Sequence, residues 1–109
     1  HSEDVLDRIF QALSDPTRRA ILRQIASGES TVTDIAAPHD LTFAAISKHL
    51  KVLEAAHMIS RRKAGSFQII TVNPEAFKSA DRWLRDYQQF WSVRLDNLKT
   101  LLEEKAKKP

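Results

Sequence analysis

Apolar residues recur every three to four positions at Val5, Leu6, Ile9, Phe10 and Leu13, a spacing that predicts an amphipathic helix over residues 4–14. Ser14-Asp15-Pro16 ends that helix and opens a second. Asp15 suits an N-cap, and Pro16 suits the first helical position, where its missing N–H has no partner to lose. Ala20, Ile21, Leu22 and Ile25 carry the stripe onward to Ser27-Gly28, which reads as a glycine stop. Thr31, Thr33 and Asp34 open a short third helix through Asp34-Ile35-Ala36-Ala37, limited by Pro38. After the tight connection His39-Asp40-Leu41, Thr42 stands where an N-cap belongs. The next helix is predicted from Phe43 to Ala56, with Ile46, Leu50 and Leu53 as its core stripe at i, i+4 and i+7.

The period then changes. Met58–Lys63 and Phe67–Val72 are short β-type runs flanking Ala64-Gly65-Ser66, a turn of hairpin length, and Asn73-Pro74 closes the hairpin. A long helix follows from about Pro74 to Lys105. Its apolar side holds Ala80, Trp83, Leu84, Tyr87, Phe90, Trp91, Leu95, Leu98, Leu101 and Leu102. The order is helix, helix, short helix, helix, hairpin, long helix. The fold class is therefore mainly α with a small β-hairpin, a winged helix-turn-helix with the helix-turn-helix over 33–56 and the wing over 58–73.

Composition narrows the setting. The 109 residues suit one domain, 1–109, and 42% hydrophobic with 28% charged residues is a globular balance. Two glycines and four prolines are too few for a turn-rich β-sandwich. No apolar run is long enough to span a membrane, and His1-Ser2-Glu3-Asp4 does not resemble a secretory leader. The absence of cysteine removes disulfides, thiolate metal sites and cysteine nucleophiles. A cytoplasmic location is expected.

Charge distribution says more than the net +3. Residues 42–73 hold Lys48, Lys51, Arg61, Arg62 and Lys63 against the single acid Glu54, a footprint suited to a polyanion. With Ile46, Leu50 and Leu53 turned to the core, the opposite side of that helix presents Ala44, Ser47, Lys48 and Lys51. Residues near the start of a recognition helix reach base edges, and small ones such as Ala44 and Ala45 allow close approach to the groove floor. Solvated lysines alone would give the same pattern; the preceding turn and following hairpin favour double-stranded DNA. In the hairpin, alternation puts Arg61 and Lys63 on one face and Arg62 on the other. With no acid between Glu54 and Glu75, the wing is expected to lack a local salt-bridge partner and to meet phosphate or the minor groove. Basic residues that merely protect a sheet edge are the plainer alternative.

The aromatic stripe of the last helix is too long for one small core. Trp83, Tyr87, Phe90, Trp91 and Leu98, with Leu6, Phe10 and Leu13 of the first helix, are expected to form a homodimer interface, which makes 1–14 and 75–105 dimerisation helices. A site for an unidentified small organic effector near the aromatic helix is the alternative use. His1, His39, His49 and His57 show no pairing on one helical face, so neither metal nor cofactor is expected. His49 lies beside the core stripe, as a structural group or a phosphate donor. No nucleophile with a base, Gly-rich phosphate loop or carboxylate pair is visible, and no enzymatic activity is expected.

Three ordered motifs carry a resemblance: Ala12-Leu13-Ser14-Asp15-Pro16-Thr17-Arg18-Arg19-Ala20-Ile21-Leu22, then Thr31-Val32-Thr33-Asp34-Ile35-Ala36, then Ile46-Ser47-Lys48-His49-Leu50-Lys51-Val52-Leu53-Glu54-Ala55-Ala56. From about Val5 to Glu104 the chain resembles an ArsR/SmtB-type repressor, and its aromatic last helix is similar to a cysteine-free subgroup often encoded beside START-like ligand-binding proteins. The resemblance implies a dimeric bacterial DNA-binding repressor whose first and last helices form the interface. It implies DNA contacts from Thr42, Phe43, Ala44, Ser47 and Lys48, with Arg62 and its neighbours from the wing; Phe43 and Ala44 stand where polar residues are frequent. Metal-sensing members carry cysteines on the third helix, where this chain reads Ser30-Thr31-Val32-Thr33-Asp34, or Asp and His on the last helix, which here has no histidine. The expectation is a homodimer on a two-fold symmetric promoter operator. Its competitors are a winged-helix module for protein–protein assembly and a repressor released by an organic ligand.

Overall fold

The computed structural model describes residues 2–107. Its elements are α1 (Ser2–Leu13), α2 (Pro16–Ile25), β1 (Ser30–Thr31), α3 (Val32–Ala36), α4 (Phe43–Ala55), β2 (Ile59–Ala64), β3 (Phe67–Val72) and α5 (Pro74–Lys107). The chain divides into a unit that ends at Lys78 and a second that begins at Ser79.

Within the first unit, α1, α2 and α4 pack on one another. Ile9 and Ala12 of α1, Ile21 and Ile25 of α2, Ile35 of α3, and Ile46, Leu50 and Leu53 of α4 are all buried. Each fully buried aliphatic side chain stabilises the fold by about 1.5–3 kcal/mol. Leu6, Phe10 and Leu13 are only half-buried, so the apolar residues of α1 are shared between this core and a second, outward stripe.

The expected hairpin is present as β2 and β3, and one strand is added to it: Ser30-Thr31, read as the approach to α3, pairs antiparallel with β3, giving a three-stranded sheet in the order β1-β3-β2. Ser30 faces Ile70 and Thr31 faces Ile69, while β2 and β3 pair from Ile59↔Val72 to Ala64↔Phe67. A two-residue strand is too short to show a period of two, so its only sequence trace is a pair of β-compatible residues before α3.

The joints follow from capping chemistry. Asp15 accepts the Arg18 N–H at 3.0 Å at the start of α2. Arg18 also reaches backward: its Nε and Nη2 donate to the Ala12 and Gln11 carbonyls at 2.7 and 3.0 Å, and Arg19 donates to Leu13 at 2.7 Å. The orphan carbonyls of α1 are thus satisfied by cations suited to the negative end of a helix. α4 ends in a Schellman motif: the His57 N–H bonds to Glu54 and the Met58 N–H to Leu53, both at 3.0 Å. His57 takes the left-handed conformation there, at φ 59°, which a residue with a Cβ adopts only under such constraint. Asn73 secures the same corner by donating its side-chain amide to the His57 carbonyl and its backbone N–H to the Met58 carbonyl, each at 2.8 Å.

Asp15 gives this joint a pH dependence. The Arg18 N–H is the main cause holding its carboxyl below the ordinary 3.8, helped by His49 and the Arg18 charge against a smaller opposing effect of desolvation. A depressed folded-state pKa contributes stability above the unfolded value and loses it as pH falls through the folded one. Asp15→Asn keeps the cap, since asparagine caps equally well, and removes the titration. Below about pH 4 the native protein is expected to lose stability more steeply than the variant in parallel acid melts. Identical acid slopes would show that Asp15 is uncoupled from folding.

The second unit is the body of α5. Every described residue from 81 to 107 is exposed, including Trp83, Leu84, Tyr87, Phe90, Trp91, Leu95 and Leu98. Asp81–Arg85 at 3.0 Å supports the helix as an i,i+4 ion pair. Trp83 stacks on Tyr87 with centroids 4.8 Å apart, Phe90 meets Trp91 edge-on at 5.7 Å, and the Arg94 guanidinium lies 3.3 Å from the Phe90 ring centroid. Among the described residues no helix is long and apolar enough to cross a membrane.

Candidate nucleic-acid interface

The site is built on α3, α4 and the β2–β3 wing, all in the first unit. Thr42 caps α4 as expected, its hydroxyl oxygen accepting the Ala45 N–H at 3.1 Å. Thr31 does the same for α3, accepting from the Asp34 N–H at 3.0 Å. The turn between these helices is tied to α2 by Gln24, whose amide donates to the Ile35 carbonyl at 3.1 Å and whose oxygen meets His39 Nε2 at 2.9 Å. α4 is therefore held along its buried stripe and at its entrance, which leaves its outer face to solvent.

Of the residues that the sequence reading put forward on α4, Thr42, Phe43, Ala44, Lys48 and Lys51 are exposed, and Ser47 is half-buried. His49 turns to the side: its Nδ1 lies 3.3 Å from Arg18 Nη1 and 3.7 Å from Asp15 Oδ2, linking α4 to the α1–α2 joint. In the wing, Arg61 is half-buried while Arg62 and Lys63 are exposed.

The electrostatics of the wing correct the expectation that it lacks a salt-bridge partner. Both arginines have carboxylate partners: Arg62 meets Glu29 at 2.7 Å, and Arg61 lies 3.5 Å from Glu54 while donating to Gln68 at 2.8 Å. Glu29 comes from the loop before β1, brought beside the wing by the unforeseen β1–β3 pairing, and Glu54 comes from α4. Scanning the hairpin for nearby acids could not find either. Arg62 and Glu29 are more than half exposed, so the pair is worth at most about 1 kcal/mol. Among the described residues Lys48, Lys51 and Lys63 have no ion-pair partner.

Between the start of α4, α3 and the wing lies a cleft of about 310 Å³ lined by Thr31, Thr33, Phe43, Ser47, Arg61 and Phe67, among others. The sequence marked Phe43, Ser47 and Arg61 for this site but not Thr31 and Phe67 of the sheet or Thr33 of α3. Among the described residues no group of three or more His, Asp or Glu side chains is arranged to hold a metal ion. The arrangement offers hydroxyls, lysine ammoniums and one exposed phenyl on a capped helix end beside the wing arginines, which are means of binding.

The family model for the bacterial regulatory proteins of the arsR family matches residues 15–61, which span α2 to the first part of β2. The chain is 33% identical over 82 residues to the transcriptional repressor SdpR of Bacillus subtilis, covering 75% of this chain and 91% of that protein. It belongs to the arsR family. The crystal structure of an ArsR family transcriptional regulator, 36% identical, superposes with a TM-score of 0.78 over 83% of this chain and 93% of that one. The homodimeric winged helix-turn-helix DNA-binding domain of Mb0332 from Mycobacterium bovis, solved by NMR, is 25% identical with a TM-score of 0.63, covering 80% of this chain and 82% of that one. This arsR-family chain is thus a transcriptional regulator with a DNA-binding winged helix-turn-helix, and not an enzyme.

Proposed function

We propose that the chain acts in the cytoplasm as a homodimeric repressor, occupying a two-fold symmetric promoter operator. The helix-turn-helix of 33–56 and the wing of 58–73 meet DNA, and the helices of 1–14 and 75–105 join the protomers. The observation that carries this reading is the basic face of α4: Lys48 and Lys51 stand exposed beside Ala44 with no ion-pair partner among the described residues, in the same unit as the wing. Ser47 and Lys48 read base edges, Thr42, Phe43 and Ala44 line the groove entrance, and Lys51, Arg61, Arg62 and Lys63 face phosphate or the minor groove. His49 supports the same helix from its flank through Asp15 and Arg18. The name of the Bacillus relative supports repression, and the Mycobacterium bovis domain supports the dimer.

Selection from a pool of randomised duplexes is expected to return a two-fold symmetric site, its half-sites about 10 base pairs apart or a multiple of that. Enrichment of a single asymmetric half-site, or of nothing, would contradict the dimeric reading. A second reading, release by an organic effector, draws on a shallow hollow of about 320 Å³ lined by Trp83, Asp86, Tyr87 and Phe90.

A further inference from the structure

Phe43 is unusual for its position. It is the first residue of α4, immediately after the Thr42 cap, and 62% of it is exposed, more than any other large apolar side chain described. The core does not use it: Ile46, Leu50 and Leu53 fill the buried face of α4 without its help. The next most exposed large apolar residue of the same unit is Phe67, at 57%, and the two line one cleft with Ser47 and Arg61.

We infer that Phe43 is a specificity-determining residue that reads the 5-methyl group of a thymine in the major groove. The inference rests on the DNA-binding reading above. A phenyl ring has neither donor nor acceptor for the guanine, adenine or cytosine edge, and the one apolar mark in the major groove is the thymine methyl. Covering a cytosine amino group or a guanine carbonyl with the ring would leave that polar group without a partner. Ser47 stands one helical turn further on, in the same cleft, and its hydroxyl is suited to donate to the thymine O4 that lies next to the methyl. Lys48 and Lys51 on the same helix, with Arg61 across the cleft, supply the charge that draws the backbone in. The ring thus meets a defined partner: a methyl flanked by an acceptor, inside a polyanion.

The experiment removes the methyl and leaves the protein intact. In the operator recovered by selection, each symmetric pair of thymines is replaced in turn by deoxyuridine, and affinities are measured for the native protein and for Phe43→Ala. Loss of one buried methyl is worth about 4-fold per half-site, so one thymine pair is expected to weaken the native dimer by about 15-fold. Phe43→Ala is expected to bind the thymine and uracil operators equally. Because Phe43 is exposed, this variant is expected to melt like the native protein. If no uracil pair weakens native binding beyond about 2-fold, or if Phe43→Ala keeps the full thymine preference, the inference is overturned while operator binding stands. If selection yields no operator, the DNA-binding reading itself fails.

Discussion

Replacing Phe90 and Trp91 together by glutamate is expected to convert the protein from dimer to monomer, with dimer affinity reduced at least about a thousand-fold. From Trp83 to Leu102, α5 exposes ten large apolar side chains along one helix, well beyond what a monomeric surface ordinarily leaves in water. In a two-fold interface each substitution counts twice, and a truncated aromatic anchor typically costs 2 kcal/mol or more, so four lost anchors exceed about 4 kcal/mol even when they are far from additive. Glutamate keeps the helix propensity of α5, so the effect is on association rather than on local helix formation. Sedimentation equilibrium at micromolar protein decides the matter. A monomeric native protein, or a double variant that still dimerises, would show that the stripe serves something else.

The second large effect lies in the core. Leu50 is fully buried at the centre of the α4 stripe, where α4 packs against α1 and α2. Leu50→Ala removes the side chain from a position with no solvent to refill the space, at a cost of about 2–5 kcal/mol. For a domain of this size that lowers the melting temperature by roughly 10–30 °C. Ser47→Ala, one turn earlier and half-buried, is expected to change stability by no more than about 0.5 kcal/mol. The two melts are compared at equal protomer concentration, because the proposed dimerisation would make apparent stability concentration-dependent. Comparable losses at the two positions would mean that α4 is not anchored through its Ile46-Leu50-Leu53 face.

These two residues also show what the chain discloses before it is folded. The α4 stripe was legible because helical periodicity sorts buried from exposed positions, and the caps at Asp15 and Thr42 were legible because their acceptors serve N–H groups only three residues away. Phe67–Val72 fell in register as β3, since branched residues and a glycine turn are local signals. What stayed hidden depends on distant pairing. The two-residue strand at Ser30-Thr31 has no period, and with it went the knowledge that Glu29 lies beside Arg62, 33 residues away in sequence. The wing therefore looked like an unopposed cationic hairpin, whereas its arginines are paired with carboxylates. On α1, the residues set aside for an interface, Leu6, Phe10 and Leu13, are the half-buried ones, while Ile9 and Ala12 are buried.

The central claim is that α4 reads sequence while the wing supplies charge, and a salt titration of variants on specific and scrambled duplexes tests it most directly. With about 6 to 8 phosphate contacts per dimer, log K for the native protein is expected to fall with log[salt] at a slope of roughly −5 to −7. Arg62→Ala removes one contact per protomer and is expected to make the slope shallower by about 2 while leaving the preferred site unchanged. Lys48→Ala is expected to cost about 1–3 kcal/mol per lost base contact on the specific duplex and to relax preference at symmetric operator positions. If instead Arg62→Ala alters which sequence is preferred while Lys48→Ala weakens every duplex equally, the roles given to helix and wing are reversed and the account is wrong.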